Sequence, residues 1–304
     1  MNVWRRGTVA ITVLVLGCLV GPSGSARAVG AAELSGSVPH HRLSTAQWAT
    51  LFDPAIPLPE RSSALADIER DAGAASGDEL YLLGTLYHMG RHAPNSPVDA
   101  DDARAATYFA NAAVRGNVLG MAKMAELKIE TGDFREAMNW AEIYAHYAPI
   151  AGRQGSADQA YSGDLAQRIQ QNVDASSMDA IMKDVNSFVF VNDKAIREGM
   201  ANSGLDEPDL HPNSNRRHYT PTTTDGQLST ASIGDFLVGF DSSGQAASVQ
   251  LLDVAPHRSD ADAMRSFVAS MKVEPASGGD AQALRYLWIP IVMGGQRYRT
   301  HDLP

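Results

Sequence analysis

Residues 77–117 read GDELYLLGTLYHMGRHAPNSPVDADDARAATYFANAAVRGN. Small and apolar side chains recur along it at helical spacing, and glycine punctuation separates the segments, which predicts short paired helices. The stretch is then echoed downstream. AASGDELYLLGTLYHMG overlays AVRGNVLGMAKMAELKIETG with Gly77-Asp78 against Gly116-Asn117, and RAATYFANAA overlays EAMNWAEIYA with Tyr108 against Trp140. The two overlays have unequal offsets, which indicates an imperfect repeat of helix pairs. One such pair cannot bury its apolar face alone, so neighbours must stack, with Ala112 and Ala113 permitting close helix contact and the aromatics filling gaps. The expectation is an α-solenoid of helical hairpins in which Gly77, Gly84 and Gly116 are structural positions of the repeat, and Trp140 and Tyr144 belong to its core.

These residues resemble a Sel-one-like repeat, a relative of the tetratricopeptide repeat. LLGTLYHMG is similar to its first helix and DDARAATYFANAAVRGN to its second, clearest over 77–147. From 118 to 147 the likeness weakens, and Lys123 stands where the first copy has Gly84. The resemblance implies a scaffold for protein partners without catalysis.

Further helix is expected over 148–201, in DLAQRIQQNV and MDAIMKDVNSFVFVNDKAIREGM, capping the open end of the solenoid. Residues 202–230 are rich in Pro, Ser, Thr and Asn with almost no apolar periodicity, which predicts a linker or long loop. Beyond it the pattern changes. FLVGFDSSGQAASVQLLDV, residues 236–254, alternates apolar and polar positions about Ser242-Ser243-Gly244 and predicts a hairpin. SDADAMRSFVASMKV then predicts a helix, with an N-cap at Ser259 and an apolar face of Ala263, Phe267 and Met271. ALRYLWIPIVM predicts a last strand, and Pro290, which cannot donate a ladder hydrogen bond, assigns it to a sheet edge.

Strand, turn, strand, helix, strand, with Phe240-Asp241-x-x-Gly244, Lys272-Val273-Glu274-Pro275 and Ile289-Pro290-Ile291, resembles the C-terminal domain of the TonB family. The likeness implies a Gram-negative cell envelope and a sheet edge that pairs with a peptide strand. The Pro-rich spacer and retained anchor of the family's energy transducers have no counterpart here, Tyr219-Thr220-Pro221 only approximates its Tyr-Pro entry, and Met293 replaces its closing aromatic. The fold class expected is thus mostly α with a C-terminal α+β module, divided into 29–201 helical body, 202–230 linker and 231–304 β-β-α-β domain.

The N-terminal segment, 1–28, has two arginines, an apolar run from Val9 to Val20, and small residues leading to Ala26-Arg27-Ala28. This is the anatomy of a secretory signal cleaved after Ala28. The run is short of the ~20 residues of a membrane span and is broken by Gly17, Gly21 and Pro22. Lipidation at Cys18 in VLGC and retention as an anchor are the alternatives. Cleavage removes Arg5, Arg6 and Arg27, taking the formal charge from -10 to -13. An acidic chain without clustered Lys and Arg argues against a nucleic-acid partner. Cys18 is the only cysteine, so the exported chain would have neither a disulfide nor a cysteine-based site.

Candidate chemistry is sparse. His88 and His92 have the i, i+4 spacing of two metal ligands, but Gly90 intervenes and no further ligands are identifiable, so they read as surface residues of a solenoid turn. His40, His41 and His211 lie in loop-like sequence, FDSSG lacks the pattern of a nucleophile elbow, and MGGQR at 293–297 lacks the lysine of a P-loop. No catalytic, cofactor or metal residue is assigned. The expected function is a non-enzymatic periplasmic or secreted adaptor, without a stable membrane span after signal cleavage. Its repeats would grip a protein partner and its C-terminal edge strand, through Arg285, Leu287, Ile289 and Ile291, would dock a peptide strand of an envelope protein, an outer-membrane protein among the candidates. An anchored energy transducer and an envelope hydrolase are the alternatives.

Overall fold

Four consecutive helices at the centre of the chain each begin at a side chain that caps them. Ser76 starts α3 (Gly77–Met89) with a reciprocal capping box, its Oγ accepting from the Glu79 N–H while Glu79 accepts from the Ser76 N–H at 2.7 Å. Asp101, Asn117 and Asp133 cap α4 (Asp102–Val114), α5 (Val118–Glu130) and α6 (Phe134–Tyr147) in turn. The computed structural model describes residues 45–202, 211–212, 231–275 and 284–293. The expected signal segment, with Cys18, lies outside them, as does most of the 202–230 stretch.

Helices α3 with α4 and α5 with α6 form the two expected antiparallel pairs, and α4 packs on α5 to stack them. Gly84 makes the first pair possible: a Cβ there would lie 2.5 Å from the Phe109 ring of α4. Aligning the first residues of α3 and α5, Gly77 and Val118, makes Ala125, not Lys123, the counterpart of Gly84. Gly77 and Gly116 are both close-packed, but they are not equivalent. Gly77 is the first residue of α3, against the Arg115 carbonyl, whereas Gly116 lies before the cap of α5 with φ +90°.

Before these pairs come α1 (Thr45–Phe52) and α2 (Leu58–Arg70); after them come α7 (Ser156–Gln170) and the 24-residue α8 (Met178–Ala201). Helix α7 extends the row beside α6, tied to α5 by Arg168, which donates twice to the buried Glu126 at 2.6 and 2.8 Å. Helix α8 does not cap an open end. It runs back across α6 and α4, inserting Phe188 against Trp140 and bringing Gly199 and Met200 onto the turn at Gly116. Tyr144 is fully buried, as expected, and Trp140 is half-buried beneath α8.

The C-terminal part supplies a three-stranded antiparallel sheet, β2 (Ser232–Phe240), β3 (Ala246–Ala255) and β5 (Arg285–Met293), in the order β3-β2-β5. Its first two strands are the expected hairpin. At the turn, Asp241 accepts from the Ser243 and Gln245 N–H groups, and Gly244 adopts φ +77° against the Val273 carbonyl. Two short strands, β1 (His211–Pro212) and β4 (Met271–Lys272), pair separately, so the 202–230 stretch contains a strand residue at His211 where a loop was expected. Helix α9 (Ala261–Val268) starts after a turn of 3-10 helix at Arg258–Asp260, and Ser259 does not cap it. Its buried face is Ala261, Met264 and Val268 rather than the expected Ala263, Phe267 and Met271, because the helix ends before Met271, which belongs to β4.

Every residue of β2 is buried. Gly234 faces α9, where a Cβ would meet Met264, and Asp235, the next residue, faces α3 and α5. The central strand is therefore covered on both faces, which explains its nearly unbroken apolar sequence. The fold is mostly α with a C-terminal α+β module, and the helices and sheet contribute to one continuous buried core. No helix among the described residues is long and apolar enough to cross a membrane.

Candidate functional site

The sheet is fastened to the helices by a buried cluster of charged and polar side chains. Lys123 of α5, fully buried, reaches Asp253 of β3 at 2.9 Å and Asp235 of β2 at 3.2 Å. Asp253 is also hydrogen-bonded by His88 Nδ1 of α3 at 2.9 Å, and the other ring nitrogen, Nε2, lies 3.5 Å from Glu130 of α5. Asp235 accepts from the Tyr81 hydroxyl at 2.8 Å and from the Trp288 indole N–H of β5 at 3.2 Å, and the Tyr81 and Trp288 rings are 5.3 Å apart. Two helices and all three strands of the main sheet thus converge on two aspartates.

Local sequence explains how each group arrives. Tyr81 and His88 are separated by close to two helical turns, and so lie along one side of α3. Asp235 and Asp253 face each other across the β2–β3 ladder. Trp288 pairs with Leu237, which places it one step along the adjoining strand on the same side as Asp235.

The electrostatics balance. Burial alone would lower the His88 pKa, but the Asp253 carboxylate overrides it and pushes the imidazole up to about 10, so His88 is protonated at neutral pH. Burial likewise opposes the charge on Lys123, and the two aspartates more than compensate, raising its pKa. Burial would raise Asp253, yet His88 and Lys123 hold it below the ordinary carboxylate range. Asp235 goes the other way: burial dominates, Asp253 adds to it, and its pKa rises despite Lys123. Tyr81 is pushed well up by burial and by Asp235, which keeps its hydroxyl a donor. Lys123 and His88 thus share the interior with Asp253 and Asp235, and the more exposed Glu130 lies at its margin.

His88 is therefore no surface residue of a turn. It is 8% exposed and held by Asp253, whereas His92 is exposed beyond the helix end at Gly90. No group of three or more potential ligands that could hold a metal ion occurs among the described residues.

The four expected edge-strand residues divide. β5 does lie at an edge, paired with β2 on one side only among the described strands. Arg285 is exposed and Leu287 half-buried, but Ile289 and Ile291 are buried in the chain's own core. They stand opposite Phe236 and Gly234, on the side of the sheet covered by α9. Gly77, Gly84 and Gly116 are packing positions distant in role from the charged cluster.

Lys123, Asp235 and Asp253 were not anticipated as a group. The available signal was a lysine in the apolar run of α5 and an aspartate within each of two apolar strands. Asp253 is separated by 130 residues from Lys123 and by 165 from His88, beyond any local pattern. No family model matches the chain, and no curated protein or solved structure matches it.

Proposed function

We propose that this chain is a non-enzymatic adaptor of the cell envelope, periplasmic or secreted, that docks an extended peptide segment of a protein partner along β5. The observation that carries the reading is the position of β5: a nine-residue strand whose backbone is paired with β2 on one side only among the described strands. Its other edge has no strand neighbour among the described residues, with α1 and α7 also packed against β5, and such an edge is a template for strand addition. Pro290 sits opposite Asp235 without breaking the β2–β5 register, which fits a nitrogen turned away from β2. By alternation, the N–H groups of Trp288 and Val292 turn the same way.

One side of the helical row, formed by α3, α5 and α7, is in contact with the chain's own sheet. The opposite side, along α4 and α6, is crossed by α8. The His88 cluster supports structure rather than turnover: its charged groups satisfy one another inside the core.

A photo-crosslinking residue at Arg285, exposed on β5, tests the reading in cells. A defined envelope protein is expected to be captured. Val292→Pro, which removes an outward N–H while leaving the β2 ladder intact, is expected to abolish capture without changing the circular dichroism of the purified protein. Capture that persists at full strength in this variant would exclude strand addition.

A further inference from the structure

Helix α8 is anchored by one face and bare on the other. Ile181, Val185 and Ile196 are buried and Phe188 packs on Trp140, fixing the helix on α4 and α6. The opposite face carries a straight stripe that opens to solvent. Only five large hydrophobic residues are exposed among the described residues, and three of them are here: Phe190 at 90%, Val191 at 74% and Met182 at 39%. Isolated exposed apolar residues are ordinary, but three on one helical stripe indicate a contact surface.

The stripe is complementary to itself. From its N-terminal end it runs Asp179, then Met182 and Lys183, then Asn186 and Ser187, then Phe190 and Val191, then Lys194, all exposed and recurring at i+3 and i+4. When two such helices lie antiparallel about a two-fold axis between positions 186 and 187, each residue meets one of matching chemistry. Met182 of one copy faces Val191 of the other. The Lys183 ammonium faces the Phe190 ring, a cation–π pairing. Asp179 faces Lys194, opposite charges at both ends. At the crossing point are Asn186 and Ser187, small enough for close approach, and the Ser187 hydroxyl already donates to the Lys183 carbonyl at 2.8 Å, so it needs no other partner when covered. A parallel arrangement would instead set Asp179 on Asp179 and Lys194 on Lys194.

From this complementarity of charge and shape we infer that the occupant of the α8 face is a second copy of this chain, joined by antiparallel α8–α8 packing into a two-fold symmetric dimer. A self-complementary patch is what an isologous interface requires. From Asp179 to Lys194 the stripe covers about 22 Å of helix, so the contact is at the small end of specific interfaces.

Sedimentation equilibrium of the full chain over a range of concentrations tests the inference. A monomer–dimer equilibrium is expected. Phe190→Ser removes one ring from each side and is expected to weaken it about a hundredfold, about tenfold per ring. Phe190 is almost wholly exposed, so the variant keeps its fold. Asp179→Lys alone sets like charges together at both ends and weakens association severalfold; adding Lys194→Asp restores it, because the pairs are reversed but intact. A monomer at every concentration, or association indifferent to Phe190→Ser, would overturn the interface. Failure of the double exchange to restore association would overturn the antiparallel register.

Discussion

A protonated histidine between carboxylates gives this molecule a defined dependence on alkaline pH. Against burial, which alone would lower it, Asp253 and Glu130 push the His88 pKa from 6.5 up to about 10. A raised histidine pKa means that the folded state binds the proton more tightly. Its stabilising contribution is complete below pH 6.5, shrinks as pH rises and is gone above about pH 10. Asp253, held below the ordinary carboxylate range, works in the opposite direction, and its contribution is lost only on acidification. The expected outcome is that the urea midpoint falls between pH 6.5 and about pH 10, and that His88→Gln costs more stability at the lower pH than at the higher. Equal costs at both would show that the proton on His88 does not contribute. The sequence showed a histidine pair at metal-ligand spacing, but only Asp253, 165 residues away, decides what His88 does.

Among the elements, the repeat helices were the most legible, because their caps and apolar spacing are local. The overlay of Tyr108 on Trp140 holds, since it also sets Asp102 on Phe134, the first residues of α4 and α6. The overlay of Gly77 on Gly116 falls short of the true offset between α3 and α5, since Gly77 begins a helix and Gly116 precedes one. Helix α9 misled by its register: three apolar residues at i, i+4 and i+8 suggested a face, but a helix of eight residues stops short of the third. Gly116 and Gly132 both have positive φ, at +90° and +76°, and differ in surroundings. A Cβ at Gly116 would lie 2.3 Å from the Met200 nitrogen of α8, whereas one at Gly132 would meet nothing within 4 Å. Valine at either should cost about 1 kcal/mol for the backbone conformation, and at Gly116 a further ~1–3 kcal/mol for displacing α8. Equal losses in urea unfolding would show that α8 does not bear on that turn.

For the whole molecule, the decisive interaction is Lys123 with Asp235 and Asp253, because it joins the helical row to the sheet. Protease cleavage between Asn202 and Thr230 is accordingly expected to leave two fragments that remain associated, observable as one species by gel filtration. Lys123→Met removes the cation and leaves two buried carboxylates facing each other, with an expected cost of about 3–5 kcal/mol. In that background the cleaved fragments should separate, and Asp235→Asn added to Lys123→Met should recover part of the loss. Fragments that separate from the wild-type protein after cleavage would show that the helices and sheet are independent units.

The sequence by itself determined the helix pairs, the hairpin at Ser242-Ser243-Gly244 and the edge position, among the described strands, of the strand with Pro290. Each rests on capping residues, apolar spacing or a missing N–H, and all of these act over a short reach of chain. Only the tertiary structure decided that α8 runs back over α4 and α6, that Ile289 and Ile291 turn into the core, and that a lysine and two aspartates fasten the sheet to the helices. Burial makes the difference: a charged residue in an apolar run is unfavourable until its counter-charge is in place, and here that counter-charge comes from the far end of the chain.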